Sequence, residues 1–90
     1  MKGLRFSLHA EANLVAREIA RDEVEAAIRR TDRREPSRAP REIVNRLYSD
    51  TVTGETMLLR AVIEETESEI VVITLYKTSK LKKYLPKETT

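Results

Sequence analysis

Glu69-Ile70-Val71-Val72-Ile73-Thr74-Leu75-Tyr76 decides how the rest of the chain is read. Six of these eight residues are β-branched or aromatic. Such side chains pack well on a pleated surface, so the segment predicts a buried strand. Simple alternation puts Ile70, Val72, Thr74 and Tyr76 on one face and Val71, Ile73 and Leu75 on the other. The strand runs into a basic segment with lysines at 77, 80, 82 and 83, closed by Tyr84. Thr78 to Tyr84 could make a helical turn, which Pro86 limits.

Two more strands precede it. Thr56 to Glu64 alternates, with Met57, Leu59, Ala61 and Ile63 on one side and Leu58, Arg60 and Val62 on the other. Glu42 to Ser49 alternates as well, with Ile43, Asn45 and Leu47 opposite Val44, Arg46 and Tyr48. Short turns at 50–55, containing Gly54, and at 65–68 join the three into an antiparallel meander. Thr31 to Arg41 reads as a loop, because Pro36 and Pro40 lack the amide hydrogen that a helix or central strand needs.

The N-terminal third reads as helical. Leu4 to Ser7 is a short extended lead-in, with an edge strand as one reading, and Ser7 can cap the helix that follows. Leu8, Ala12, Val15 and Ile19 recur at helical spacing and predict the buried face of that helix. His9, Asn13 and Arg17 form a second stripe around it. A second helix is expected over Arg21 to Arg30, burying Val24, Ala27 and Ile28. The break between them lacks a capping side chain, since Ala20 stands where one is expected, and a single kinked helix is the alternative. The expected fold is α+β in one domain spanning 1–90: two N-terminal helices on one face of a three- to four-stranded antiparallel meander.

Charged residues make up 36% of the 90-residue chain, yet the net charge is only +2. The small total conceals strong local bias. Seven arginines lie between Arg29 and Arg46, and five lysines with no acid between Lys77 and Lys87. Glu55 to Glu69 is acidic, with Arg60 its only base. The absence of cysteine excludes a disulfide framework, a thiolate metal site and a cysteine nucleophile, and fits a cytoplasmic protein. No signal-peptide pattern opens the chain, and no apolar run approaches the roughly 20 residues of a membrane span. Nothing suggests a cofactor, a Gly-rich phosphate loop or a histidine–carboxylate metal cluster.

Several of these residues carry a resemblance. His9-Ala10, Arg17, Ile19, Val24 and Ala27-Ile28, followed by Val72-Ile73-Thr74-Leu75-Tyr76-Lys77 and the stretch from Thr78 to Tyr84, resemble domain-of-unknown-function family 4258. The resemblance covers nearly the whole chain. Asn13 departs from it where an arginine is usual, and Glu18 where a glycine is usual at the helix junction. That family is similar to the RelE and BrnT ribonuclease toxins of toxin–antitoxin pairs. The resemblance implies helices before an antiparallel sheet, RNA as a substrate and an antitoxin as a partner protein.

Metal-free RNA cleavage needs a proton acceptor for the 2′-hydroxyl, a donor for the leaving oxygen, and cations for the phosphorane charge. His9 is the only histidine and could serve in either proton role, with Arg17, Lys77 and Tyr84 completing a candidate catalytic set. The bland reading of His9 is a helix-start residue bonded to a neighbour. Lys80, Lys82 and Lys83 interleaved with Tyr84 suit single-stranded RNA, and equally a solvated tail that blunts a sheet edge. Arg60 is expected opposite the helices, near Arg46 and Tyr48, as an RNA-facing cation; pairing with nearby glutamates is its plainer explanation. Tyr76 reads more simply as core or rim. Two other readings stand beside the nuclease: a non-catalytic RNA- or protein-binding module on the same scaffold, and a structural homodimer.

Overall fold

The computed structural model describes residues 2–50 and 53–84. Along the chain run β1 (Gly3–Phe6), α1 (Leu8–Ala16), α2 (Arg21–Arg29), β2 (Arg33–Pro36), β3 (Arg41–Ser49), β4 (Thr56–Glu65), β5 (Glu69–Thr78) and α3 (Leu81–Tyr84). The strands form one sheet in the order β1-β5-β4-β3-β2. The fold is therefore α+β, as expected, and the antiparallel meander β3-β4-β5 lies at its centre. The sheet is larger than expected and mixed. β1 adds a parallel strand along β5, pairing Leu4 with Ile70 and Phe6 with Val72. β2 adds an antiparallel strand along β3.

β2 lies inside the segment expected to be a loop. Pro36 is tolerated because it ends an outer strand, where a missing amide hydrogen costs no central ladder bond. Asn45 holds the strand in place. Its Nδ2 donates to the Arg33 carbonyl at 3.1 Å and to the Glu35 carboxylate at 2.7 Å.

The core joins both long helices to one face of the sheet. Ala10 and Leu14 of α1, Ile19, and Val24 and Ala27 of α2 pack with Val44, Leu59, Ala61, Ile63, Val72 and Leu75. Val72 and Leu75 were expected on opposite faces. A bulge reconciles them: Val62 pairs with Thr74 and Ile63 with Val72, so Ile73 is the additional residue on β5. The inserted residue restores the inward direction at Leu75, so both ends of β5 feed one core.

α1 buries a different face from the one its spacing suggested. Ala10, Asn13 and Leu14 are buried, whereas Leu8 is 86% and Val15 81% exposed. Ser7 caps α1 as expected, its Oγ accepting from the Ala10 amide at 3.0 Å. The same hydroxyl donates to the Ile73 carbonyl at 2.8 Å, which ties the helix start to the bulge. Asn13 donates to Thr74 Oγ1 at 2.9 Å. α1 therefore docks on β5 partly through polar contacts, and the asparagine at 13 is part of that seat.

α1 and α2 are separate helices. The Ile19 amide donates to the Leu14 carbonyl at 2.9 Å, and the Glu18 amide to the Val15 carbonyl at 3.3 Å. These two bonds make a Schellman cap around Glu18, whose φ is +52°. A residue with a Cβ is strained there by roughly 1–2 kcal/mol. Glu18→Gly should relieve that strain, partly offset by the freer unfolded chain. The expected net gain is about 0.5 kcal/mol, or about 2–4 °C in melting temperature. Glu18→Ala keeps the strain and should show no such gain in the same thermal melt.

Candidate RNA-facing site

The face of the sheet away from α1 and α2 carries a polar row across four strands. Cross-strand registers place Arg33 beside Asn45, Asn45 beside Arg60, and Arg60 beside Tyr76. Alternation explains the row, because Leu59 and Ala61, on either side of Arg60, point into the core. Arg60 is only 7% exposed and Asn45 is fully buried. Leu58, on the same face as Arg60, is also fully buried although it lies outside the main core cluster.

Arg60 is enclosed by groups from three other elements. The Glu35 carboxylate on β2 lies 3.5 Å from its Nη2. The ring centroids of Tyr76 on β5 and Tyr84 on α3 lie 5.8 Å and 4.3 Å from its guanidinium carbon, within cation–π range. The two rings sit 5.9 Å apart at 60°. Among the described residues, Arg60 Nε and Asn45 Oδ1 are buried and have no hydrogen-bond partner. A buried donor and a buried acceptor thus remain unmatched at one cross-strand pair, which is costly unless something else meets them.

The two phenols differ. Burial pushes the Tyr76 phenol above its ordinary value, partly countered by the Arg60 charge. The Tyr84 phenol is drawn below its ordinary value, chiefly by its hydrogen bond with Tyr76, and further by Lys83 and Arg60. Lys83 Nζ lies 5.3 Å from the Tyr84 ring, and Lys80 and Lys82 are exposed on the same short tail.

The other expected site residues lie elsewhere. Arg46 pairs with Leu59, not with Arg60, so it faces the helices and its Nη1 donates to the Arg30 carbonyl at the end of α2. Tyr48, on the same side as Arg46, also belongs with the helices. Lys77 likewise pairs with Leu59, and its Nζ reaches the Glu18 carbonyl at 3.5 Å. Arg17, the C-cap of α1, and His9 near its start are both exposed. His9 and Arg17 are separated by eight residues of helix, roughly 12 Å. The sheet therefore divides the candidate catalytic set: Tyr84 stands with Arg60 on the face away from the long helices, while Lys77 belongs to the helix side.

Glu35 and Asn45 are members of the cluster that the sequence reading did not select. Asn45 had a signal, a polar side chain alternating with Ile43 and Leu47 on one strand face. Glu35 had none, because its strand is visible only through pairing with β3.

Tyr48 marks a second polar irregularity, on the helix side. Its hydroxyl is buried without a partner among the described residues. Burial, then the charges of Glu23 and Asp50, push its phenol from the ordinary 10.0 up to about 12. The unfolded chain releases this proton near pH 10 and the folded chain near pH 12. Stability is thus fully present below the lower value and lost as pH rises through the higher one. Tyr48→Phe removes both the unmatched hydroxyl and this titration. It should stabilise the fold by about 1 kcal/mol at neutral pH and flatten the decline between roughly pH 10 and 12 in urea denaturation.

Among the described residues, no group of three His, Cys, Asp or Glu side chains is arranged to hold a metal ion. No described helix is long and apolar enough to cross a membrane. Comparison with protein-family models, curated proteins and solved structures gives no match.

Proposed function

We propose that this chain is an RNA-directed protein of the toxin–antitoxin type, acting in the cytoplasm and binding single-stranded RNA at the edge of the Arg60 cluster, where the exposed tail lysines Lys80, Lys82 and Lys83 lie. The observation that carries the reading is the Arg60 cluster: a guanidinium with an unmatched Nε, enclosed by two tyrosine rings beside a lysine-rich tail. Cations set among stacking aromatics suit single strands, whose phosphates and base faces are both available. The resemblance to family 4258 and to RelE- and BrnT-like toxins supports the same reading, and it brings with it an antitoxin as partner.

On this face a metal-independent ribonuclease would use the Glu35 carboxylate to take the proton of the attacking 2′-hydroxyl, Arg60 to stabilise the phosphorane and Tyr84 to donate a proton to the leaving oxygen. His9, exposed on α1, has no part in that set. Because the sheet separates Tyr84 from Lys77, binding is the property to test before cleavage. The test is fluorescence anisotropy with labelled single-stranded RNA, alongside incubation with free mRNA and with translating ribosomes. Binding with a steep salt dependence supports the RNA reading. Cleavage in either incubation that Tyr84→Phe abolishes adds the nuclease activity, and binding without cleavage selects the non-catalytic module. No binding at moderate salt contradicts the reading.

A further inference from the structure

We infer that α3 is a strap that closes the Arg60 site, with the Tyr84 ring standing where a nucleobase of single-stranded RNA stacks. The ligand in this inference rests on the RNA reading; the closure does not. Arg60 lies mid-strand on the sheet face that neither long helix covers, yet its side chain is only 9% exposed, too little for a phosphate to reach it. Three groups enclose it: Glu35 on β2, Tyr76 on β5 and Tyr84 on α3. The first two belong to the sheet and are fixed by strand pairing. Of the three, Tyr84 alone comes from outside the sheet. Access to the guanidinium therefore opens most readily where the least-held element gives way.

α3 is that element. It is a single turn with no buried residue. A turn this short has too few backbone bonds to hold itself. The bonds at its start are local: the Lys80 amide donates to Thr78 Oγ1 at 3.0 Å, and the Leu81 amide to the Ser79 carbonyl at 2.9 Å. Ser79 and Lys80, which join it to β5, are exposed. Among the described residues, its ring contacts with the sheet run through Tyr84, to the Arg60 guanidinium at 4.3 Å and to the Tyr76 ring at 5.9 Å. Opening this turn costs far less than unfolding the domain. The contact with Arg60 is that of a flat ring over a cation, and every base offers such a face. A base can replace the tyrosine ring there with little net loss of stacking. Lys80, Lys82 and Lys83 lie on the same segment, so phosphates drawn to them pull on the strap itself.

The test measures how fast phenylglyoxal, an arginine reagent, modifies Arg60 in the full chain, with exposed Arg38 as the internal reference and peptide mass spectrometry as the readout. Arg60 should react roughly tenfold more slowly than Arg38 in the wild type and in Tyr84→Phe, which keeps the ring. Tyr84→Ala should raise the Arg60 rate about tenfold and leave Arg38 unchanged. Stopped-flow mixing with labelled oligouridylate should then show association roughly threefold faster, or more, for Tyr84→Ala than for Tyr84→Phe. Association is compared in place of affinity, because losing Tyr84 also removes a side chain of the candidate site. Circular dichroism checks that the variants remain folded. An Arg60 as reactive as Arg38 in the wild type, or still protected in Tyr84→Ala, overturns the strap. Equal association rates overturn its gating of RNA. If Tyr84→Ala unmasks Arg60 and no variant binds oligouridylate, the nucleobase is overturned as the occupant, together with the RNA reading.

Discussion

Arg60→Ala should lower affinity for single-stranded RNA by roughly ten- to hundredfold, the equivalent of losing one charge-assisted contact and its aromatic support. Arg60 and Arg33 are the arginines in the polar row across the sheet, and both tyrosines are arranged around the Arg60 guanidinium. Its removal also leaves Glu35 without its cation, so some loss of stability is expected as well. Glu35→Gln separates the two effects. Glutamine keeps the shape and can still accept from Asn45 Nδ2, but it removes a negative charge that repels phosphate. If the cluster binds RNA, Glu35→Gln should raise affinity a fewfold. If Arg60 serves only as the partner of Glu35, both variants should change the melting temperature and leave RNA affinity alone.

Asn45→Ala should give the largest loss of stability among single polar substitutions. This fully buried side chain satisfies the Arg33 carbonyl and the Glu35 carboxylate together, and those two bonds hold β2 on the sheet. Thr31 Oγ1 adds to the same junction, accepting from the Asn45 amide at 3.2 Å and donating to its carbonyl at 3.1 Å. Losing the two hydrogen bonds, one of them to a charged carboxylate, costs about 2–4 kcal/mol, although the Arg33 carbonyl keeps the Thr31 hydroxyl and Glu35 keeps Arg60. For a domain of this size that lowers the melting temperature by about 10–20 °C. Hydrogen exchange should show amide protection lost in β2 ahead of the β3-β4-β5 meander. Uniform loss across the sheet would mean that Asn45 stabilises the whole domain and not this edge. The variant also frees Glu35 from its fixed place beside Arg60, which links the edge strand to the candidate site.

The elements that the sequence makes legible are those whose periodicity has a single interpretation. The three meander strands, the amphipathic α2 and the turn at the basic tail all appear where expected. α1 defeated the same reasoning because it has two apolar faces. Leu8, Ala12 and Val15 match helical spacing as well as Ala10 and Leu14 do, and only contact with β5 decides which set is buried. The bulge at Ile73 is equally silent, since a run of β-branched residues carries no mark of the position where alternation skips. Arg46 and Arg60 were expected together because register between strands is a property of pairing. Arg60 meets Asn45 directly, so Arg46 falls to the helix side. Tyr84 beside Arg60 depends on the path of α3, which local sequence does not encode.

The central claim is that RNA meets the Arg60 cluster, on the sheet face away from the long helices. The direct measurement is a titration of the isotope-labelled protein with a short single-stranded RNA, followed by NMR at the Arg60 Nε–H and the backbone amides. Binding at this face should shift the Arg60 Nε–H first, together with the amides of Tyr76 and of the tail from Lys80 to Tyr84, while α1 and α2 stay in place. An unchanged Arg60 signal at saturating RNA, or shifts confined to the helix side, would contradict it.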